Sequence, residues 1–124
     1  MCKNDPEIQY ILSKIGDTVR FTFPKGEPPM VGVLKDRYVI CTTPTKAGVK
    51  YWDVVDLIKF QDEPEDFIRI GYFRMPAGRR QPRLAGQTTI TETVTQWKRI
   101  LVETARKREW FRKLLEEACR EMKK

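Results

Sequence analysis

The chain has 124 residues, 40% of them hydrophobic and 33% charged, with a formal net charge of +7. That length suits one ordinary domain with a core of its own, and the balance is too apolar for a disordered tail and too charged for a membrane span. Histidine is absent, which removes the usual general base, nucleophile activator and transition-metal ligand. No catalytic signature, cofactor site or metal site is therefore expected.

Cys2, Cys41 and Cys119 are odd in number, widely separated and without a C-x-x-C pair. They are expected to be free thiols of a reducing compartment rather than a disulfide framework or zinc ligands. No run approaches the roughly 18 apolar residues of a spanning helix, and MCKNDPEIQY lacks the basic and then apolar layout of a signal peptide. A cytoplasmic protein with no membrane association is the expectation.

In chain order, Asp5-Pro6-Glu7 is a helix start: a capping acceptor, a proline at the first position and an acid at the positive dipole end. Ile8, Ile11, Leu12 and Ile15 then recur at helical spacing before Gly16, predicting a short helix over 6–15. Val19, Phe21 and Phe23 alternate with polar residues as in a half-buried strand. After a turn over Lys25 to Pro29, Met30–Leu34 and Tyr38–Thr42 read as a hairpin joined near Lys35-Asp36-Arg37. A loop with Pro44 and Gly48 follows. From Val49 to Phe60 the apolar spacing fits both a strand and a strand with a helical turn, so that boundary stays open. Gln61–Asp66 is an acidic connector, and Phe67–Met75 resumes a strand.

Pro76–Gly86, with two prolines and two glycines, must be loop. No glycine or proline occurs beyond Gly86. Thr89 and Glu92 stand in capping-box relation, and Val94, Trp97, Leu101, Ala105, Phe111, Leu115, Ala118 and Met122 form a helical stripe. Arg106-Lys107-Arg108 interrupts it, so the region is one long helix or two bent there.

The predicted fold is α+β: a small, strongly bent antiparallel sheet or SH3-like barrel with a short N-terminal helix and a long C-terminal helical region. One domain is expected over 1–124, made of a β-rich core with its helix (1–75), a basic loop (76–86) and the helical region (87–124). The organisation resembles that of tudor, chromo and KOW-type barrels, although none of their residue motifs is matched, and fold analogy leaves function undecided.

Charge is the more useful signal. Residues 1–66 carry a balance of −2 and residues 67–124 a balance of +9. Between 67 and 91 the charged residues are Arg69, Arg74, Arg79, Arg80 and Arg83, with no acid. Arginine presents a planar fork of donors that matches phosphate oxygens, and either Tyr72 or Phe73 should face outward from its strand. Together Arg69, Tyr72, Phe73, Arg74, Arg79, Arg80 and Arg83 form a candidate site for nucleic acid, DNA or RNA. The alternative is a protein-interaction module or homo-oligomer that docks through the C-terminal helical region.

Lys98, Arg99, Arg106, Lys107, Arg108, Arg112 and Lys113 fit the polar face of an amphipathic helix, and Trp97 and Trp110 are expected to anchor the core. Asp53, Asp56, Asp62, Glu63, Glu65 and Asp66 match no metal-loop spacing and are expected to form a solvated connector.

Overall fold

The computed structural model describes residues 5–23, 26–42, 45–86 and 90–124. The order of elements is α1 (Pro6–Leu12), β1 (Thr18–Phe21), β2 (Met30–Cys41), β3 (Lys50–Phe60), β4 (Phe67–Met75), β5 (Arg83–Leu84), α2 (Val94–Lys107) and α3 (Glu109–Met122). The α+β expectation holds in this form. The five strands make one antiparallel sheet in the order β1-β2-β3-β4-β5, curled into a half-barrel. The chain divides into two compact units, Met1–Thr88 and Thr89–Lys124.

Helix α1 starts where expected and stops earlier, at Leu12. Asp5 caps it through its main chain: its carbonyl accepts from the Ile8 and Gln9 amides, and its side chain makes no capping bond. Gly16, at φ +98°, takes the left-handed turn that glycine adopts without steric cost. Its amide donates to the Leu34 carbonyl at 2.7 Å, which leads the chain into β1.

The hairpin expected around Lys35-Asp36-Arg37 does not form. Met30 to Cys41 is one continuous strand, with a register shift between Leu34 and Asp36 on its pairing with β3. Lys35 is the additional residue of a β-bulge, which bends the strand instead of reversing it. Gly32 stands opposite Phe60 in the pairing of β2 with β3. A Cβ there would overlap the Lys59 carbonyl oxygen and stand 2.9 Å from Phe60 Cα, so only glycine permits this approach of β2 to β3.

Val49–Phe60 resolves into a single strand, β3, in which Trp52 to Asp56 are buried without a break. Among the described residues, two hydrophobic clusters lie along one face of the sheet. In one, Ile8 and Ile11 of α1 pack with Trp52, Val54, Phe73 and Met75. In the other, Leu34, Ile58 and Phe60 gather Val19, Phe21 and Met30, and the Phe60 ring meets Phe21 and Phe67 edge-on at 5.3 and 5.0 Å.

The C-terminal region is two helices, separated at Arg108, whose φ of −135° and ψ of 114° are extended. Helix α2 begins after Thr93, whose side chain accepts from the Gln96 amide at 3.0 Å. That is a different cap from the expected Thr89–Glu92 box, of which Thr89 lies outside the described residues. The buried positions of this unit are Ile100, Thr104 and Phe111. Of the expected stripe, Val94 and Met122 stand exposed, and Trp97 and Trp110 are only half-buried. The polar face is paired as an ordinary helix surface, with Arg99–Glu103 at 2.6 Å and Lys113–Glu109 at 3.4 Å.

Among the described residues no helix is long and apolar enough to cross a membrane. The expectation of free thiols needs correction. Cys41 is disulfide-bonded, Cys119 is a free and exposed thiol, and Cys2 lies outside the described residues. Sequence separation and an odd count do not prevent one bridge, because pairing depends on which strands and turns come together in space.

Candidate nucleic-acid interface

Strand parity divides the seven candidate residues into two groups. On β4, Arg69 and Phe73 point to the concave side of the sheet, and Tyr72 and Arg74 point to the other. Phe73 is 5% exposed and belongs to the core, with the Arg37 guanidinium 4.9 Å above its ring. Tyr72 is the half-buried, outward member of the pair, and its ring meets Tyr51 at 5.9 Å and 57°.

Arg69 is already engaged. The rung Arg37↔Asp56↔Arg69 runs in register across β2, β3 and β4. Arg37, buried at 2% exposure, donates to Asp56 from Nε at 2.6 Å and from Nη2 at 3.0 Å, and its Nη1 donates to the Ile11 carbonyl at 2.9 Å. Arg69 donates to Asp56 Oδ2 from Nε at 3.1 Å and from Nη2 at 2.8 Å. Two guanidinium groups thus share one fully buried carboxylate between the two hydrophobic clusters, and one of them ties the last turn of α1 to the sheet.

This rung corrects the reading of the acidic stretch. Asp53 and Asp56 are buried on β3, because a strand continues where a connector was expected. Asp62, Glu65 and Asp66 lie exposed in the following turn, with Glu63 half-buried there. Among the described residues no group of three His, Cys, Asp or Glu side chains is placed to hold a metal ion.

The remaining arginines converge. Pro76 to Arg79 form a tight turn closed by the Arg79 amide donating to the Pro76 carbonyl at 3.1 Å. Gly78, at φ +83°, occupies the position that requires a left-handed residue. The chain then returns as β5, which sets Arg83 directly opposite Arg74. Like charges facing each other across an antiparallel pair are destabilising. Arg74, Arg79, Arg80 and Arg83, with Pro76 and Gln81, line one open depression of about 510 Å³. Its lining contains no acid, and the ion pairs among the described residues all lie elsewhere.

Tyr51 was not a candidate from sequence. It is the register partner of Arg74, and its hydroxyl accepts from Arg74 Nε at 3.3 Å, which holds that guanidinium beside the depression. The arrangement is a basin of uncompensated guanidinium groups fitted to phosphate oxygens, with two half-exposed tyrosine rings on the adjoining strands. Compared with family models, curated proteins and solved structures, the chain matches none, so a functional reading rests on this geometry.

Proposed function

We propose that the protein is a non-catalytic nucleic-acid-binding or nucleic-acid-associated accessory domain that holds the phosphate backbone in the Arg74–Arg79–Arg80–Arg83 basin. The observation that carries this reading is the basin itself: four arginines and no acid around one depression, two of them paired across strands at a cost to the fold. A polyanion removes that repulsion. Tyr51 and Tyr72 are the rings able to stack on an adjoining base, and Arg69 and Phe73 serve the fold and the cleft described below. The half-barrel sheet supports an SH3-like organisation as part of this proposal, and a cytoplasmic location belongs to it as well. The Cys41 disulfide favours an oxidising compartment as the second reading of location.

Binding is expected to weaken steeply with salt, because each phosphate neutralised releases condensed counterions. A fluorescence titration of labelled DNA and RNA at two salt concentrations measures this. The combined Arg79→Ala, Arg80→Ala and Arg83→Ala variant should lose affinity to a similar degree for all sequences. Its salt slope should also be shallower by about 2–3, near 0.9 for each lost contact. Unchanged affinity and slope would remove the basin from the site.

A second reading is a protein-interaction module or homo-oligomer that docks through α2 and α3. It is favoured by the exposure of Val102, Leu114 and Met122 on those helices. A concentration-dependent mass in sedimentation, with no nucleic-acid binding, would promote it.

A further inference from the structure

The concave side of the sheet holds a second cleft, of about 420 Å³, and it lies between the first and last strands. Thr18, Val19 and Arg20 of β1 line one side and Arg83 and Leu84 of β5 the other, so the curl brings the two sheet edges to opposite walls of one opening. That volume is within the range of pockets that enclose a small organic group.

The lining has two chemistries. Val19, Leu34, Phe73 and Leu84 supply apolar surface, and Tyr10 adds a ring with the Lys14 ammonium 4.5 Å from its centre. Around these stand Lys14, Arg20, Arg37, Arg69 and Arg83, against Asp17 as the acid of the lining. Arg37 and Arg69 both donate to the carboxylate of Asp56 on the inner wall. Leu84, at 37% exposure, leaves the apolar wall open to solvent.

Arg83 lines both this cleft and the arginine basin. The two depressions therefore meet at one side chain, the basin fitted to phosphates and the cleft to a flat, neutral ring that packs on apolar surface and accepts hydrogen bonds from cationic donors. From this we infer that the cleft receives an unstacked base of a single-stranded nucleic acid whose backbone lies in the basin. A duplex keeps its bases stacked and paired inside the helix and has nothing to insert. A single strand offers both a backbone for the basin and an unstacked base for the cleft. The inference rests on the proposed phosphate-binding function and adds the class of strand that the site selects.

The test compares a labelled single strand of roughly ten nucleotides, within the usual span for one small domain, with its own annealed duplex at fixed salt. Three proteins are used: the full chain, Tyr10→Ala, which removes a ring from the cleft lining, and Leu84→Trp, which fills the cleft, neither of them changing charge. The full chain should bind the single strand about tenfold more tightly than the duplex, the scale of one well-placed stacking contact. Each cleft variant should reduce that preference towards unity and leave duplex affinity within about twofold, and melting curves will establish that both variants fold. Equal binding of strand and duplex by the full chain would overturn the inference and leave the backbone reading standing. So would variants that weaken both ligands alike. Binding to neither ligand would overturn both readings.

Discussion

Asp56 is the residue on which the architecture of the sheet converges. Its carboxylate is fully buried and accepts from Arg37 and Arg69 on the two flanking strands, so its removal would take the shared acceptor from the buried Arg37 guanidinium and from the partly exposed Arg69 one. Breaking a buried ion pair from one side costs about 3–5 kcal/mol, whereas replacing the whole set by apolar groups of similar volume is often neutral. Asp56→Ala is therefore expected to lose about 3–5 kcal/mol in urea denaturation. The combined Arg37→Met, Asp56→Leu and Arg69→Met variant should stay close to the parent. A loss under about 1 kcal/mol for Asp56→Ala, the scale of an exposed pair, would show that the rung does not carry the fold. None of this was legible from the chain: Asp56 stands in an acidic stretch, and both partners come from strands distant in sequence. The inward side of Arg69, and which of Tyr72 and Phe73 faces outward, are hidden for the same reason. Their residue types suit nucleic acid, but the side of the sheet they face depends on the pairing of β3 with β4.

At the level of elements, β1 was readable because polar and apolar residues alternate along it, β4 because Ile68, Ile70 and Tyr72 share one face of a strand, and α1 because its start carries proline and an acid. β3 kept both readings open, since a strand buried over five successive residues loses the alternation that identifies it. β2 was misread for a chemical reason. Lys35-Asp36-Arg37 has the polarity of a turn, yet Arg37 is polar because it meets Asp56, and Lys35 is the extra residue of a bulge whose ammonium pairs with exposed Asp66. The break at Arg108 was visible as an interruption of the stripe, and the arginine loop as a run of arginines without an acid. The bulge makes a contrast that can be measured. Deleting Lys35 leaves Leu34 and Arg37 two positions apart, both still on the concave face. Deleting Tyr38 instead makes Arg37 and Val39 neighbours, and successive residues of a strand point to opposite faces. The Lys35 deletion is expected to fold with a melting midpoint roughly 4–8 °C lower, equivalent to about 1 kcal/mol. The Tyr38 deletion should show no cooperative transition. Similar melting curves for the two would mean that the faces of β2 are not set by this register.

For the molecule as a whole, the question is whether the two compact units are one thermodynamic domain. Among its described residues the first unit holds two hydrophobic clusters on one face of a five-stranded sheet. The second consists of two fourteen-residue helices whose buried positions are Ile100, Thr104 and Phe111. Helices of that length are marginal by themselves in water, and a chain below about 40 residues seldom folds without a staple or a partner. The helical unit should therefore persist only as part of the full chain. Calorimetry is expected to give one transition, with the calorimetric enthalpy matching the van't Hoff value. A peptide of residues 89–124 should show little helicity by circular dichroism. Truncation after Gly86 should yield a remnant that aggregates or melts well below the full chain, since a single cooperative domain does not tolerate loss of one of its parts. Two resolved transitions would separate the units. A remnant that stays monomeric and equally stable would go further, leaving α2 and α3 as an appendage whose exposed Leu114 and Met122 await a protein partner, and would raise the interaction-module reading above nucleic-acid binding.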